Sequence, residues 1–471
     1  MPTSSPQAAL AHLLTQVQQL PSSPSPSPPP SCVRVVERGP PRGRVLVAAQ
    51  PLLPGQAILE EPLILLKPEE FNTPGIYRAF LASPPDVQRQ ILSLFSPVDG
   101  VYGRALRNDL AVLRLAQRSG RRVAAEYQEM MEVARSLDGR QQALFVKVNA
   151  AFNYNSVWIG PPSDDVGDHK LLDMGSGLFT IGSRASHSCQ PNCSWLSDRR
   201  GHEVMRALVD VAEGEELTIA YRQFELEPVY QRRATLFNSW DFLCACPRCV
   251  AHGDDTRRFP CKKVTCSGYH LVHQPTAGDL ARLTACSACG VQATPTYATR
   301  LLQQEAGMIK HLAEIHRDTA RHDASIRDLD LRPLHPHHSL AVEAAHLQYM
   351  LYKQSKEWVK AAKALQAEIE CRDAILRFPT ITTALRYECR GDMLMAAIRV
   401  VGVGEKKRGQ LLAQAGEAYR HAEQGLLITG GPSHPWTALA TAKLAAAEQE
   451  QGGGGAERAG EAKPSRKPRV A

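Results

Sequence analysis

Residues 232–249 read RRATLFNSWDFLCACPRC, and the cysteines that close this stretch constrain the fold more than any other feature of the chain. The spacing C-x-C-x-x-C puts the thiolates of Cys244, Cys246 and Cys249 into one tight loop, one short of the tetrahedral set that a structural zinc requires. A fourth ligand must come from elsewhere. Further on, Cys261, Cys266, Cys286 and Cys289 form a C-x4-C and a C-x2-C pair separated by a loop, a complete four-thiolate set with ribbon-like spacing. The other reading, buried cysteines without a metal, would crowd seven thiols into a stretch poor in hydrophobic residues. Zinc is preferred, and each ion would contribute on the order of 10 kcal/mol to the folding of its loop. Disulfides rarely use such spacings, so the compartment is a reducing one. Cys32, Cys371 and Cys389 have no ligand partner at useful spacing and read as packed thiols. His335, His337 and His338 read as a solvated polar turn around Pro336 rather than a metal site.

Outward from the cysteines, the chain has 471 residues of which 43% are hydrophobic, enough for two or three domains with a sizeable core. The net charge of +7 is small for this length and partly sits in the last residues, so charge does not call for nucleic acid as a direct ligand. No leader or bilayer-spanning run is evident, which points to cytosol or nucleus. Residues 1–32 read as a disordered extension ending in the linker PSSPSPSPPP. VRVVE, GPPRGRVLVAA, PLLPGQAILEE and PLILL read as short strands from Val33 to Leu66, and a helical insertion follows over about 68–148. Strand-like text returns with GLFTIGSR, HEVMRALVDV and EELTIAY. Residues 299–450 alternate Ala/Leu/Glu-rich segments with Gly/Pro breaks, as stacked helix pairs of tetratricopeptide type or as an ordinary helical bundle. Residues 451–471 read as a flexible basic tail.

Three stretches carry a resemblance: GLFTIGSRASHSCQPNCSW, VDVAEGEELTIAYRQ and the opening RRATLFNSWDFLCACPRC. In this order they resemble the SET-domain lysine methyltransferases, closest to the SMYD branch. The family's N-H-S-C-x-P-N appears as Ser186, His187, Ser188, Cys189, Gln190, Pro191 and Asn192. Its G-E-E-(I/L)-T-x-x-Y appears as Gly214 through Tyr221. Its R-x-x-L-x-x-x-(Y/W)-x-F-x-C-x-C-x-x-C runs from Arg233 through Leu236, Trp240 and Phe242 to Cys249. The MYND finger of that branch is absent, and the helical insertion occupies its place.

The resemblance implies an α+β chain: a β-rich SET domain over 33–230, a cysteine-rich post-SET region over 231–295 that binds two structural zinc ions, and an all-α TPR-like domain over 299–450. It implies that Cys189 completes the site of Cys244, Cys246 and Cys249, leaving Cys193 as a packed spare. It further implies S-adenosylmethionine as cofactor and the lysine side chain of a protein as substrate. Tyr221 matches the catalytic tyrosine and Phe242 the aromatic on the adenine ring. Gly43 and Arg44 match the cofactor loop, Asn149 or Asn153 the cofactor asparagine, and Ser186 and His187 the rest of that pocket, which Asn192 would help to shape. The helical domain is expected to select substrate or dock a protein partner. Val45 and Ser186 replace a family glycine and asparagine, so a zinc-stabilised SET/TPR-like interaction protein without catalysis is the alternative.

Overall fold

The computed structural model describes residues 32–456 apart from 40–41, 68–71, 120–123, 125–126, 160–174, 198–201, 274–281, 318–322, 328, 330, 332–333 and 400–403. Most of the expected extension, 1–31, and the end of the expected tail, 457–471, lie outside the described residues. The chain forms two compact units, one holding the described residues of Met1–Pro161, His169–Arg222 and Ala234–Leu243, the other those of Gln223–Arg233 and Cys244–Ala471.

The first unit is built from short strands. β1 (Val33–Glu37) pairs antiparallel with β2 (Arg44–Ala48), and β3 (Ala57–Glu61), β9 (Glu203–Ala207) and β8 (Cys193–Ser197) form a sheet in the order β3-β9-β8. A second three-stranded sheet has the order β4 (Leu65–Lys67), β6 (Gly175–Leu178), β5 (Val157–Ile159). β7 (Ser186–His187) and β10 (Thr218–Ile219) pair in parallel, only two residues each. Leu46, Ala48, Leu52, Ile58, Met205, Val211 and Leu217 form the core between them.

Five helices make the insertion: α1 (Thr73–Ala82), α2 (Pro85–Ser93), α3 (Val101–Arg118), α4 (Gln128–Ser136) and α5 (Gly139–Asn155). Asn72 caps α1 by accepting from Gly75 N–H, and Asp138 and Gln141 form a capping box on α5. Apolar spacing brings Tyr77, Phe80, Ile91, Leu106, Leu110, Phe145 and Phe152 into one core. α5 runs past Val148 to Asn155 and absorbs the segment KVNAAFNYN, because Phe145, Val148 and Phe152 keep the helical period.

In the second unit, α6 (Val229–Trp240) begins and α7 (Pro247–Val250) leads into the hairpin β11 (Gly253–Pro260)–β12 (Tyr269–His273). The rest is helical: α8 (Pro295–Arg317), α9 (Asp323–Arg327), α10 (Ser339–Gln354), α11 (Trp358–Ile375), α12 (Ile381–Ile398), α13 (Glu405–Thr429) and α14 (Pro435–Ala456). From α10 onward each helix packs on the next, as in stacked pairs, but α10, α12 and α14 begin unevenly at 339, 381 and 435. Small residues allow this closeness: a Cβ on Gly391 would lie 2.4 Å from the Tyr419 ring. α14 runs through Gly452–Gly455, which sequence assigns to the tail; extending a nucleated helix costs only about 1 kcal/mol per glycine.

His338 departs from the solvated turn expected of it. It is 1% exposed, accepts from Leu340 N–H as the cap of α10, and lies 3.2 Å from Glu305, which Arg257 also holds. A capping role needs a side-chain acceptor one step before a helix, and imidazole Nδ1 supplies it. A second buried carboxylate, Glu368, meets Arg386, Arg372 and His346.

Burial alone would push both carboxyls up, but Arg257 and His338 bring Glu305, and His346, Arg386 and Arg372 bring Glu368, from 4.5 to about 2. A carboxylate depressed in the folded state contributes stability that is full above its unfolded pKa and is lost as pH falls through the folded one. Resistance to urea, followed by helix signal, is therefore expected to fall as pH drops from about 4.5 to about 2. Glu368→Gln should destabilise near neutrality by roughly 3–5 kcal/mol and flatten that slope; an unaltered slope would count against this network.

Candidate active site and metal centres

Two residues of parallel ladder cannot hold β7 to β10 unaided, and a side chain does most of the joining. Asn192 accepts from Thr218 N–H at 2.8 Å and donates to the Glu216 carbonyl at 2.9 Å, while Ser188 N–H donates to the Ile219 carbonyl at 3.0 Å. Asn192 is 8% exposed, so these bonds form out of competition with water. The S-H-S-C-Q-P-N loop is thereby fastened to the segment that carries Tyr221.

Tyr221 follows β10 directly. Its hydroxyl donates to the Ala185 carbonyl at 2.9 Å, and its backbone N–H donates to His187 Nδ1 at 3.2 Å. With Nδ1 accepting, the His187 proton must sit on Nε2, which lies 3.3 Å from Cys189 Sγ and donates to it. The Tyr221 ring lies 5.2 Å from His187, 5.3 Å from Trp240 and 6.4 Å from Phe242, the last edge to face. Burial, then the Glu216 charge, pushes the Tyr221 phenol well above its ordinary value. It is a neutral hydroxyl at any working pH.

Trp240 and Phe242 reach Tyr221 from either side of Asp241, whose φ of 60° is left-handed. That conformation costs a non-glycine residue roughly 1–2 kcal/mol. Its carboxylate offsets the cost: it accepts from Val101 N–H at 2.8 Å, at the N-terminus of α3, and from the Tyr154 hydroxyl. Burial and Asp241 together raise Tyr154 to about 12. Gly100 leaves room for this, since a Cβ there would meet Asp241 Oδ2 at 2.3 Å. The insertion thus holds the turn that presents both rings.

The other residues expected at the cofactor pocket are more dispersed. Gly43, at φ 60°, closes the β1–β2 turn through its N–H to the Gly39 carbonyl, and Arg44 donates to the Ser93 carbonyl at 2.7 Å. β2 runs beside the 3₁₀ turn Gly182–Arg184 that precedes Ser186. Val45 is 1% exposed and pairs with Val36, so its side chain belongs to the core. Ser186 pairs with Thr218 through backbone. Asn149 is wholly buried within α5; its Nδ2 donates to the Phe145 carbonyl and its Oδ1 has no partner among the described residues. Asn153 lies half-buried one turn on, and no described hydrogen bond joins either asparagine to the Tyr221 cluster.

Sequence reading passed over Glu61 and Asn155. Asn155 is 7% exposed and joins the end of α5 to the Phe95 carbonyl, with its own carbonyl 3.3 Å from Ser183. Glu61 looks like a solvent-facing strand residue in ILEEPL, and nothing local signals that its carboxylate turns inward.

Cysteines of the second unit gather into two groups, Cys244 with Cys246 and Cys249, and Cys261 with Cys266, Cys286 and Cys289, each with its ligand atoms within 4.8 Å of one another. Cys261 and Cys289 are 3.7 Å apart, as are Cys266 and Cys286. A tetrahedron with Zn–S bonds of about 2.3 Å has S···S edges of about 3.8 Å, so the second group fits zinc closely. Burial would raise the Cys286 thiol, but the N–H groups of Cys289 and Ala288 bring it down. No cysteine is in a disulfide, and Cys193 sits buried with its thiol pushed up to about 12, unsuited to metal.

A parallel β7–β10 pair followed directly by a tyrosine and fastened by a side-chain amide marks the site, and the SET domain family matches residues 43–222. The chain carries a SET domain. Over 86 residues it is 37% identical to the human histone-lysine N-methyltransferase SMYD3, covering 18% of this chain and 20% of that protein. Over 84 residues it is 34% identical to the mouse protein-lysine N-trimethyltransferase SMYD5, covering 17% of this chain and 20% of that protein. The match therefore spans about a fifth of the length of these relatives.

Metal analysis by mass spectrometry is expected to return two zinc ions per chain. Cys189→Ser and Cys286→Ser should each lower the content to one, whereas Cys193→Ser should keep both. Two ions in either ligand variant would mean that the metal is held by other groups.

Proposed function

We propose that this chain is a protein-lysine N-methyltransferase that uses S-adenosylmethionine. The observation that carries the proposal is the enclosure of Tyr221 by His187, Trp240 and Phe242, with the phenol held by the Ala185 carbonyl. Gly43, Arg44, Ser186, His187 and Phe242 would hold the cofactor, with Asn149 contributing through its unpaired carbonyl oxygen. Bound there, S-adenosylmethionine supplies an electrophilic methyl group on a sulfonium.

Only a neutral amine is a nucleophile, and a lysine in water is almost wholly protonated. Desolvation beside a buried strand end disfavours the ammonium form, so the lysine would shed its proton to solvent as it enters, before water is shut out. Tyr221 cannot accept that proton in exchange for one of its own, since burial keeps it a neutral phenol. What it offers is a fixed dipole: the hydroxyl proton is engaged by Ala185, and the oxygen lone pairs remain to orient an amine N–H. Trp240 and Phe242 exclude water from the reacting atoms. Val45 and Ser186 do not obstruct this, because Val45 fills the core and Ser186 acts through backbone.

Zinc at the first cysteine group would hold the loop that starts two residues after Phe242, and so tie metal to pocket. We assign catalysis to a SET domain over 33–230, metal binding to 231–295 and substrate or partner docking to the helical domain over 299–450. Two thiolate quartets and free cysteines suit cytosol or nucleus. No described helix is long and apolar enough to cross a membrane.

Labelled cofactor incubated with zinc-replete protein and mixed core histones should transfer label to lysine, and Tyr221→Phe should lose about 10²-fold or more of the rate. The rate should climb with pH as the amine deprotonates and show no descending limb below about pH 10, since Tyr221 titrates above its ordinary value. Absence of label, or a Tyr221→Phe rate equal to wild type, would reject the proposal.

A further inference from the structure

Glu61 ends β3 and is 6% exposed, a carboxylate in the interior of the first unit. Both of its oxygens are spent on backbone. Oε1 accepts from the N–H groups of Thr180 and Ile181, the latter at 2.8 Å, and Oε2 accepts from Gly182 N–H at 2.8 Å. Three successive amide donors converging on one carboxylate form charge-assisted bonds, stronger than neutral ones and directional. What they hold is the turn Gly182–Arg184, in which Arg184 N–H returns to the Ile181 carbonyl and Ala185 N–H to the Gly182 carbonyl, both at 2.9 Å. The opposite side of the turn is closed by Trp195: a Cβ on Gly182 would lie 1.1 Å from its indole. Squeezed between carboxylate and indole, the turn has one place to put its next carbonyl. That carbonyl is Ala185, the acceptor of the Tyr221 hydroxyl.

We propose that Glu61 is a positioning residue for methyl transfer: by fixing the turn at 182–184 it fixes the Ala185 carbonyl, and through it the direction of the Tyr221 phenol. The proposal rests on the methyltransferase reading for its kinetic consequence, although the mechanical link stands apart from it. An internal carboxylate is costly to bury, and a hydrogen-bonding residue of the same size could brace a turn with fewer contacts. A carboxylate suits a site where a few tenths of an ångström in one carbonyl decide how a hydroxyl points, because misplacement of a reacting group is expensive in rate.

The link predicts non-additivity. Glu61→Gln keeps one accepting oxygen and turns an NH₂ toward a backbone N–H, so the turn relaxes. In the Tyr221-containing enzyme this should lower the melting temperature by a few degrees and kcat about tenfold, with the cofactor Kd by calorimetry little changed. In a Tyr221→Phe background there is no phenol to misdirect, and Glu61→Gln should cost less than twofold further. An equal loss in both backgrounds would overturn the proposal, since a merely structural brace damages both alike. Glu61→Asp, which keeps the charge and shortens the reach, carries the same cycle if the glutamine variant does not fold. Tyrosine labelled with ¹³C at Cζ provides a readout that needs no catalysis: the Tyr221 signal, assigned by its loss in Tyr221→Phe, should shift in the Glu61 variant. If wild type transfers no methyl group, the enzymatic reading fails while this shift still decides the link; an unmoved signal would sink the link itself.

Discussion

The amide of Asn192 spends both its ends on the segment that carries Tyr221, accepting from Thr218 N–H and donating to the Glu216 carbonyl. Everything else at the site hangs from that bridge. A parallel pair of two residues has too few hydrogen bonds to persist against the entropy of two free loops. With the bridge in place, His187 faces the Tyr221 backbone, and the Ala185 carbonyl comes within reach of the phenol. An amide suits the position because it donates and accepts at once, as neither a carboxylate nor an ammonium does.

Around this bridge the structure fixes the acceptor of one hydroxyl and the rings that neighbour its own. The acceptor is held from below by a turn locked between Glu61 and Trp195. The rings are presented by a strained residue, Asp241, whose strain is offset at the end of a helix of the insertion. His187 reaches toward Cys189, so a buried cysteine sulfur and the Tyr221 backbone share one imidazole. The phenol is thereby kept neutral, oriented and partly enclosed.

The helical unit obeys a different economy. Its helices meet partly through alanines and glycines, and two of its buried carboxylates, Glu305 and Glu368, each meet more than one cationic partner. Arg257 and Arg258 project from β11 toward Glu305 of α8 and the Ala374 carbonyl of α11. The hairpin beside the second cysteine group and the helical packing are therefore mechanically continuous within this unit.

Much of this was legible in the sequence because it is written in local spacing. Cysteine intervals announce metal, alternation and period separate strands from helices, and Tyr221, His187, Phe242 and Asn192 stand in motifs short enough to read. The extent of α5 was not legible, since KVNAAFNYN carries loop-like asparagines whose helical state depends on burying Phe145 and Phe152. His338 and Glu61 were hidden for the same reason: a polar residue in a strand or loop looks solvated until the chain folds back over it. Local pattern carried the class of fold, the grouping of the cysteines and the place of the tyrosine after its strand. Which carbonyl that tyrosine grips, and what holds the carbonyl still, emerges only in the folded chain, because a partner 36 or 121 residues away in sequence leaves no trace in local pattern.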